Sequence, residues 1–311
     1  MYFCNGTQIM VKNMEVIKAD TIEQYNRFFG FHTQHPLVSV VHFDGSESQP
    51  DAHRMTFGFY ALFLKKTVGC TINYGKTKYD YDDETVVCFA PGQTIAVHRI
   101  EDGPVPEADA LLFHPDFLHR TPLAQKIRQY TFFSYASNEA LHLSVDERVT
   151  IQDYMSKIAH ELNHPIDKFS KPLIISNIEV LLNYCMRFYE RQFITREELN
   201  NDVLVRFERL LDDYWDSGMA ERYGLPTVKY FADKICLSPN YFGDLVKAET
   251  GKTAREHIHL KIVEKAKNAL FEPDASIKQI ADMLGFQYPQ HFQRFFKKEV
   301  GCTPKEYRIN S

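Results

Sequence analysis

The feature that most constrains this chain is an internal repeat near its C-terminal end. Residues 231–258 (FADKICLSPNYFGDLVKAETGKTAREHI) recur in degenerate form as residues 280–307 (IADMLGFQYPQHFQRFFKKEVGCTPKEY). Ala232 and Asp233 recur 49 residues later, whereas Pro239 and several residues after it recur at an offset of 50. The additional residue falls in a short turn between two predicted helices. A repeat with one insertion in a turn indicates one supersecondary unit used twice.

Both copies carry the start and stop signals of a helix, a tight turn and a second helix. In the first copy Thr227 can cap a short helix, and Ser238 can cap a longer one that begins at Pro239, where a missing N–H is harmless. In the second copy Ser276 and Gln279 form a capping box. Short helix, turn and longer helix is the helix-turn-helix arrangement, whose second helix enters the major groove of DNA.

One further predicted helix connects the two copies. Thr253 and Glu256 can cap it, and it continues to about Phe271, a length of 18 residues. At 1.5 Å per residue it spans about 27 Å. A rod of that length can hold two helices in successive major grooves, which lie roughly 34 Å apart. One chain would then read two half-sites of unlike sequence.

This stretch resembles the DNA-binding domain of AraC-type (AraC/XylS) transcription regulators. The resemblance is carried by LSPNYF at 237–242, LGFQYPQHFQRFFKK at 284–298 and the closing GCTPKEYR at 301–308. It covers roughly the last third of the chain. It implies two helix-turn-helix motifs, at about 227–250 and 276–300, in a sequence-specific regulator. Its partners would be double-stranded DNA and, for an activator, RNA polymerase.

The resemblance also implies which outward residues of the two second helices contact DNA. The predicted DNA-binding residues are Ser238, Asn240, Tyr241, Gly243, Asp244, Lys247, Gln290, His291, Gln293, Arg294 and Lys297. The base-reading positions of the family fall on Asn240, Gly243, Asp244, Gln290, Gln293 and Arg294. Arginine pairs well with guanine and glutamine with adenine, whereas lysine suits phosphate. Gly243 has no side chain, and Asp244 either accepts from cytosine or repels phosphate, so we expect the first helix to read weakly. Lys298 and Arg308 are expected to contact phosphate.

Charge is distributed unevenly along the 311 residues, whose net charge is −5. From Pro226 onward the chain has 14 Lys and Arg against 10 Asp and Glu, and before it 22 against 31. An acidic body with a mildly basic end fits nucleic-acid binding through that end. The length allows two domains, which we predict at residues 1–200 and 201–311.

The sequence shows no signal of export or membrane insertion. Its six cysteines are scattered without CxxC spacing, which is typical of reduced thiols in the cytoplasm. The first ten residues lack the basic and apolar regions of a signal peptide. No apolar run approaches the ~18 residues needed to span a bilayer. We therefore expect a cytoplasmic protein without a membrane partner.

The first half reads as short strands rich in β-branched and aromatic residues between polar turns. The candidate strands are Leu37–His42, Phe57–Phe63, Thr71–Tyr74, Val86–Phe89, Ile95–Val97, Ala110–Phe113 and Tyr130–Phe133. Such strands suggest a small barrel or sandwich. The resemblance favours a cupin-like barrel that senses a small molecule. The predicted fold class is therefore α+β, with an N-terminal β-rich cupin-like barrel followed by helices and an all-α C-terminal domain.

Aromatic strand residues are the candidates for an effector pocket in that barrel. The predicted effector-binding residues are Phe57, Tyr60, Phe63, Tyr74 and Phe89, with plain hydrophobic core as the alternative. A cupin-type enzyme fused to a DNA-binding tail is the alternative function. Such enzymes bind a metal through a His-x-His pair, and we expect no such pair anywhere in the chain. A DNA-repair methyl acceptor would need an activated cysteine motif, which is also missing. We therefore predict no catalytic residue, metal or cofactor.

Three helices are predicted between the β-rich half and the repeat, and Thr195 with Glu198 can start the third. Ser144 and Glu147 can cap the first, and the second runs from about Pro172 to Gln192. The second carries an apolar stripe at coiled-coil spacing, formed by Ile174, Ile178, Leu181, Cys185 and Phe188. This stripe is either the seam of a homodimer or a face that packs on its own domain. The resemblance favours dimerisation.

Overall fold

The computed structural model describes residues 16–44, 52–65, 70–73, 85–99, 107–136, 139–165, 167–195, 197–272 and 274–310. The chain divides into two compact units, one ending at Tyr189 and the other beginning at Glu190. This division precedes the boundary predicted at residues 200 and 201. The first unit contains sheets and helices, and the described part of the second is helical, so the α+β class is confirmed.

Among the described residues of the first unit, the strands form two sheets. The strands are β1 (Val16–Ala19), β2 (Val38–Phe43), β3 (Ala52–Phe57), β4 (Tyr60–Lys65), β5 (Cys70–Asn73), β6 (Thr85–Phe89), β7 (Thr94–Arg99), β8 (Ala108–Phe113) and β9 (Leu141–His142). One sheet has the order β1-β3-β7-β5 and the other β2-β8-β4-β6-β9. The pair β1–β3 is parallel, and the remaining pairs are antiparallel.

The two sheets enclose one hydrophobic core. Met55 and Phe57 enter it from the first sheet, and Ala110 and Leu112 enter it from the second. The predicted cupin-like barrel is not confirmed, because the described strands form two separate sheets and no closed barrel. Gly58 divides the predicted strand Phe57–Phe63 into β3 and β4. Its N–H donates to the carbonyl of Ala19 over 2.9 Å, and a Cβ there would lie 2.3 Å from the carbonyl oxygen of Asp20.

Two short helical segments of this unit differ from the sequence prediction. The helix α1 (Ile22–Phe29), which the sequence reading missed, is closed at its start by a capping box between Thr21 and Gln24. The predicted strand Tyr130–Phe133 is wrong, because 3-10 turns occupy this segment. Its aromatic rings pack on a helix instead of pairing in a sheet. Phe132 stacks on Tyr189 with ring centroids 5.6 Å apart.

The remaining helices of the first unit follow the sheets. They are α2 (Pro115–Leu118), α3 (Leu123–Lys126), α4 (Val145–Asn163) and α5 (Ser170–Thr195), which continues past the unit boundary. The capping box of Ser144 and Glu147 is confirmed at the start of α4. The described residues contain no helix long and apolar enough to cross a membrane.

The apolar stripe of α5 packs within a single copy of the chain. Its members Ile174, Ile178, Leu181, Cys185 and Phe188 are at most 7% exposed. A side chain already buried in one copy cannot contact a second copy, so these five residues do not form the predicted dimer seam. The alternative holds, and the stripe packs on its own domain. Dimerisation itself stays a prediction without assigned residues.

The second unit is an assembly of short helices around one core. Its helices are α6 (Glu197–Asp216), α7 (Met219–Tyr223), α8 (Val228–Ile235), α9 (Pro239–Thr250), α10 (Ala254–Leu270), α11 (Ile277–Leu284), α12 (Pro289–Val300) and α13 (Pro304–Asn310). The predicted caps at Thr227, Ser238, Thr253 and Ser276 are confirmed. The helix α6 belongs to this core through Phe207, whose ring centroid lies 5.0 Å from that of Phe242.

Candidate nucleic-acid interface

The two copies of the repeat fold into matching helix pairs, α8–α9 and α11–α12. Each first helix ends in a left-handed residue, Cys236 at φ +66° and Gly285 at φ +92°. After each stop, the next amide bonds back to the preceding helix. Leu237 N–H donates to the carbonyl of Ala232 over 3.0 Å, and the N–H of Phe286 bonds back to α11 in the same way over 2.9 Å. The sequence repeat is therefore a repeat of backbone conformation.

The second pair presents its predicted residues to solvent. The exposed members on α12 are Gln290, His291, Gln293, Arg294 and Lys297. Phe292 and Phe296 are fully buried on the opposite face of the helix. Because α12 is amphipathic in this way, its polar side chains form one face that can approach a groove. Tyr288 precedes the helix without a side-chain capping bond, as its residue type implies.

The first pair presents fewer of its predicted residues. Asn240 and Lys247 on α9 are exposed, whereas Gly243 and Asp244 are half-buried. The prediction that Tyr241 faces outward is wrong, because its side chain is only 6% exposed. Its ring lies 5.1 Å from that of Phe193, centroid to centroid.

Ser238 also has a structural role at the start of α9. Its hydroxyl oxygen accepts a hydrogen bond from the N–H of Tyr241 over 3.3 Å, so it is the cap of the helix. The face of α9 that remains for contact with DNA is therefore narrower than that of α12.

The connecting helix α10 carries two histidines that hold the ends of both pairs. His257 Nε2 lies 2.9 Å from Thr250 Oγ1 at the end of α9. His259 Nδ1 lies 3.4 Å from a carboxylate oxygen of Glu299 near the end of α12. These two residues are a His-x-His pair, so the expectation that the chain contains no such pair was wrong. They point to different partners and do not converge on one site.

The helices α6 and α7 brace this arrangement. Lys261 of α10 pairs with Asp212 of α6 over 2.8 Å. Trp215 Nε1 donates to the carbonyl of Leu284, at the end of α11, over 3.3 Å. A cleft of about 740 Å³ opens between α7 and the turn into α12, and His291 lines it. The second helix pair is therefore fixed to elements that precede the repeat.

Arg308 holds the fold together instead of facing DNA. Its Nε donates to the carbonyl of Leu270 over 3.1 Å, and its Nη2 donates to the carbonyl of Ala275 over 2.7 Å. These carbonyls end α10 and precede α11, so the guanidinium closes the loop between the two copies. A guanidinium with two carbonyl partners is committed to structure, and the expected phosphate contact of Arg308 is not supported.

Of the aromatic residues predicted to bind an effector, three lie together in the hydrophobic core and a fourth lies elsewhere. Phe57, Phe63 and Phe89 meet in the core, where ring centroids of Phe57 and Phe63 both lie 5.9 Å from that of Phe89. Tyr60 lies on the other face of β4 and stacks on Phe113. Tyr74 lies outside the described residues. Within the described ranges, no group of three or more metal-ligating side chains exists.

Known families and proteins are similar to parts of this chain. Residues 231–310 match a family model described as a helix-turn-helix domain. The xylose operon regulatory protein of Haemophilus influenzae is 44% identical over 64 residues, which cover 21% of this chain but only 16% of that protein. RhaS of Citrobacter koseri, an HTH-type transcriptional activator, is 24% identical over 225 residues, which are 70% of this chain and 76% of RhaS.

A solved structure is similar to about a third of the chain. The C-terminal domain of the two-component response regulator yesN from Fusobacterium nucleatum is 27% identical. It covers 32% of this chain and 96% of that one, with a TM-score of 0.29.

These findings identify residues 231–310 as a helix-turn-helix domain, and the relatives named here are transcription regulators. The matched stretch is an AraC-type helix-turn-helix domain, as its sequence motifs indicated.

Proposed function

We propose that this chain is a sequence-specific transcription regulator that reads double-stranded DNA with α9 and α12 as its two recognition helices. The observation that supports this most strongly is the shared connector. The 17 residues of α10 span about 26 Å, and its two histidines contact the ends of both recognition helices. Two helices anchored on one rigid connector keep a fixed separation, which suits simultaneous entry into successive major grooves on one face of the duplex.

The two recognition helices have unequal roles in this proposal. On α12, Arg294 pairs with guanine, and Gln290 and Gln293 pair with adenine. On α9, Asn240 is the exposed side chain suited to base contact, since Gly243 has none. Most of the sequence preference should therefore come from the half-site under α12. The exposed Lys247 and Lys297 add phosphate contacts, which raise affinity without choosing a sequence.

The test is DNA binding by the full chain with Arg294 changed to alanine. Fluorescence anisotropy with duplexes from upstream of its own and neighbouring genes would first locate a site. Arg294→Ala should cost about 1–3 kcal/mol at that site and relax the preference at one base pair. Arg209→Ala on α6, also an exposed arginine, is the matched control and should change neither quantity. An unchanged preference at every base of the site in Arg294→Ala would refute the assignment.

Control by a small molecule is the second part of the proposal. A relative named for a xylose operon supports it, and in this proposal the first unit holds the ligand. A metabolite panel added to the anisotropy assay would identify an effector by a change in affinity. We also propose action in the cytoplasm as a homodimer, testable by sedimentation, and contact with RNA polymerase if the chain activates transcription.

A further inference from the structure

Two histidines at the C-terminal end of α4 are placed as a pair of metal ligands. The Nε2 atoms of His160 and His164 are 2.9 Å apart, and their ring centroids are 4.4 Å apart. Both side chains are exposed. A spacing of four residues puts two side chains on the same face of a helix, which is the spacing of paired histidine ligands in metal sites.

The separation of the two nitrogens indicates a coordination geometry. Imidazole nitrogens bind such metals at about 2.0–2.1 Å, so two of them at a right angle are about 2.9 Å apart. At a tetrahedral angle the same ligands would be about 3.3–3.4 Å apart. The 2.9 Å between the hydrogen-bonded nitrogens is close to the right-angle value, so little change in their separation would let them occupy neighbouring positions of a tetragonal or square-planar ion, which is the preference of Cu²⁺ and Ni²⁺.

The surroundings also favour a cation. His164 is the C-terminal cap of α4, where the helix dipole and the unpaired carbonyls present negative charge. The adjoining Asn163 accepts a hydrogen bond from Gln34 Nε2 over 2.5 Å, so this end of α4 is tied to the segment before β2. Without a metal, the two rings satisfy each other, since one N–H donates to the other nitrogen.

We propose that His160 and His164 form a bidentate site for a divalent transition-metal ion of the copper or nickel class, with water completing the coordination. Among the described residues no third side chain joins the pair, so the ion is exchangeable. It closes the last turn of α4 and stabilises the contact between Asn163 and Gln34. Because both imidazoles must be neutral to bind, affinity falls at acidic pH.

The experiment titrates Cu²⁺ into metal-free full-length protein without an affinity tag, followed by calorimetry and electron paramagnetic resonance. We expect one ion per chain, nitrogen hyperfine structure from two imidazoles and a raised melting temperature. Loss of an outer-shell partner alone weakens metal sites roughly 10–100-fold. Each of His160→Gln and His164→Gln should therefore weaken binding by at least about tenfold.

The control is His119→Gln, since His119 is another exposed histidine, with a carboxylate neighbour at 3.7 Å. It should leave the affinity and the spectrum unchanged. All three positions are on the surface, so the variants should fold, which circular dichroism would verify. The proposal is overturned if the double variant of His160 and His164 binds Cu²⁺ with the affinity and spectrum of the original protein.

Discussion

Gly285 ends α11 in a conformation and a contact that only glycine permits. Its φ is +92°, and a Cβ there would lie 2.8 Å from the carbonyl carbon of Gly224 and 2.9 Å from the carbonyl oxygen of Ala220. Both neighbours are backbone atoms, which cannot move aside as a flexible side chain could. We therefore predict that Gly285→Ala strongly destabilises the second unit.

The magnitude follows from two separate contributions. A left-handed alanine costs about 1–2 kcal/mol, of which about 0.4–1 kcal/mol is recovered because alanine restricts the unfolded chain. Forcing a methyl group against fixed backbone costs about 1–3 kcal/mol more. Gly301→Ala is the matched control, because Gly301 has φ +91° but open space where its Cβ would stand. It should cost about 1 kcal/mol through strain alone.

The assay is urea unfolding followed by tryptophan fluorescence. The chain has one tryptophan, and its indole N–H donates to the carbonyl of Leu284, next to the substituted position. Trp215 therefore reports on this junction without interference from the first unit. If Gly285→Ala and Gly301→Ala lower the free energy of unfolding equally, the contact with Gly224 has no energetic weight and the packing argument fails.

Three further predictions test the corrected assignments. Arg308→Met should lower stability by about 3 kcal/mol or more, because two charge-assisted bonds of about 1.5–3 kcal/mol each are lost. The salt dependence of its DNA binding should stay unchanged, whereas a phosphate contact would reduce the slope by about 1. Ile178→Asp should unfold the first unit, because an unpaired charge would be buried, and the loss of its near-ultraviolet circular dichroism would show this. If the variant were instead a folded monomer and the original protein a dimer, the stripe on α5 would be the dimer interface after all. Burial, followed by the charge of Lys252, lowers the pKa of His257. Stability should therefore fall as pH drops below about 6.5 towards that lowered pKa, and less so in His257→Gln.

Local signals explain why the second unit was largely predictable. A cap such as that of Ser276 and Gln279 depends on residues that lie within four positions of each other. The repeat also predicts the same pair of helices in each of its two copies. Long-range packing explains the failures. Tyr241 turns inward because Phe193, far away along the chain, covers its ring. The seam prediction failed for the same reason, since spacing shows that a stripe is apolar but not which surface covers it.

The wrong strand prediction for Tyr130–Phe133 has a similar cause. Aromatic residues in a short run are typical of strands, yet here they fill the space beside α5, with Phe132 on Tyr189. The exposed polar face of α12 was predicted because such a face is a periodic pattern in the sequence. The role of Arg308 was not, because its carbonyl partners lie in a loop that no pattern locates.

The early start of the second unit matters for anyone who prepares it in isolation. Asn200 Nδ2 donates both to the carbonyl of Phe193 and, over 2.6 Å, to a carboxylate oxygen of Glu249 near the end of α9. A fragment cut at residue 201 would lack Phe193 and Asn200, and it would expose the ring of Tyr241. Expression clones for crystallography or DNA-binding screens should therefore begin at or before Glu190, well upstream of the span that the family model recognises.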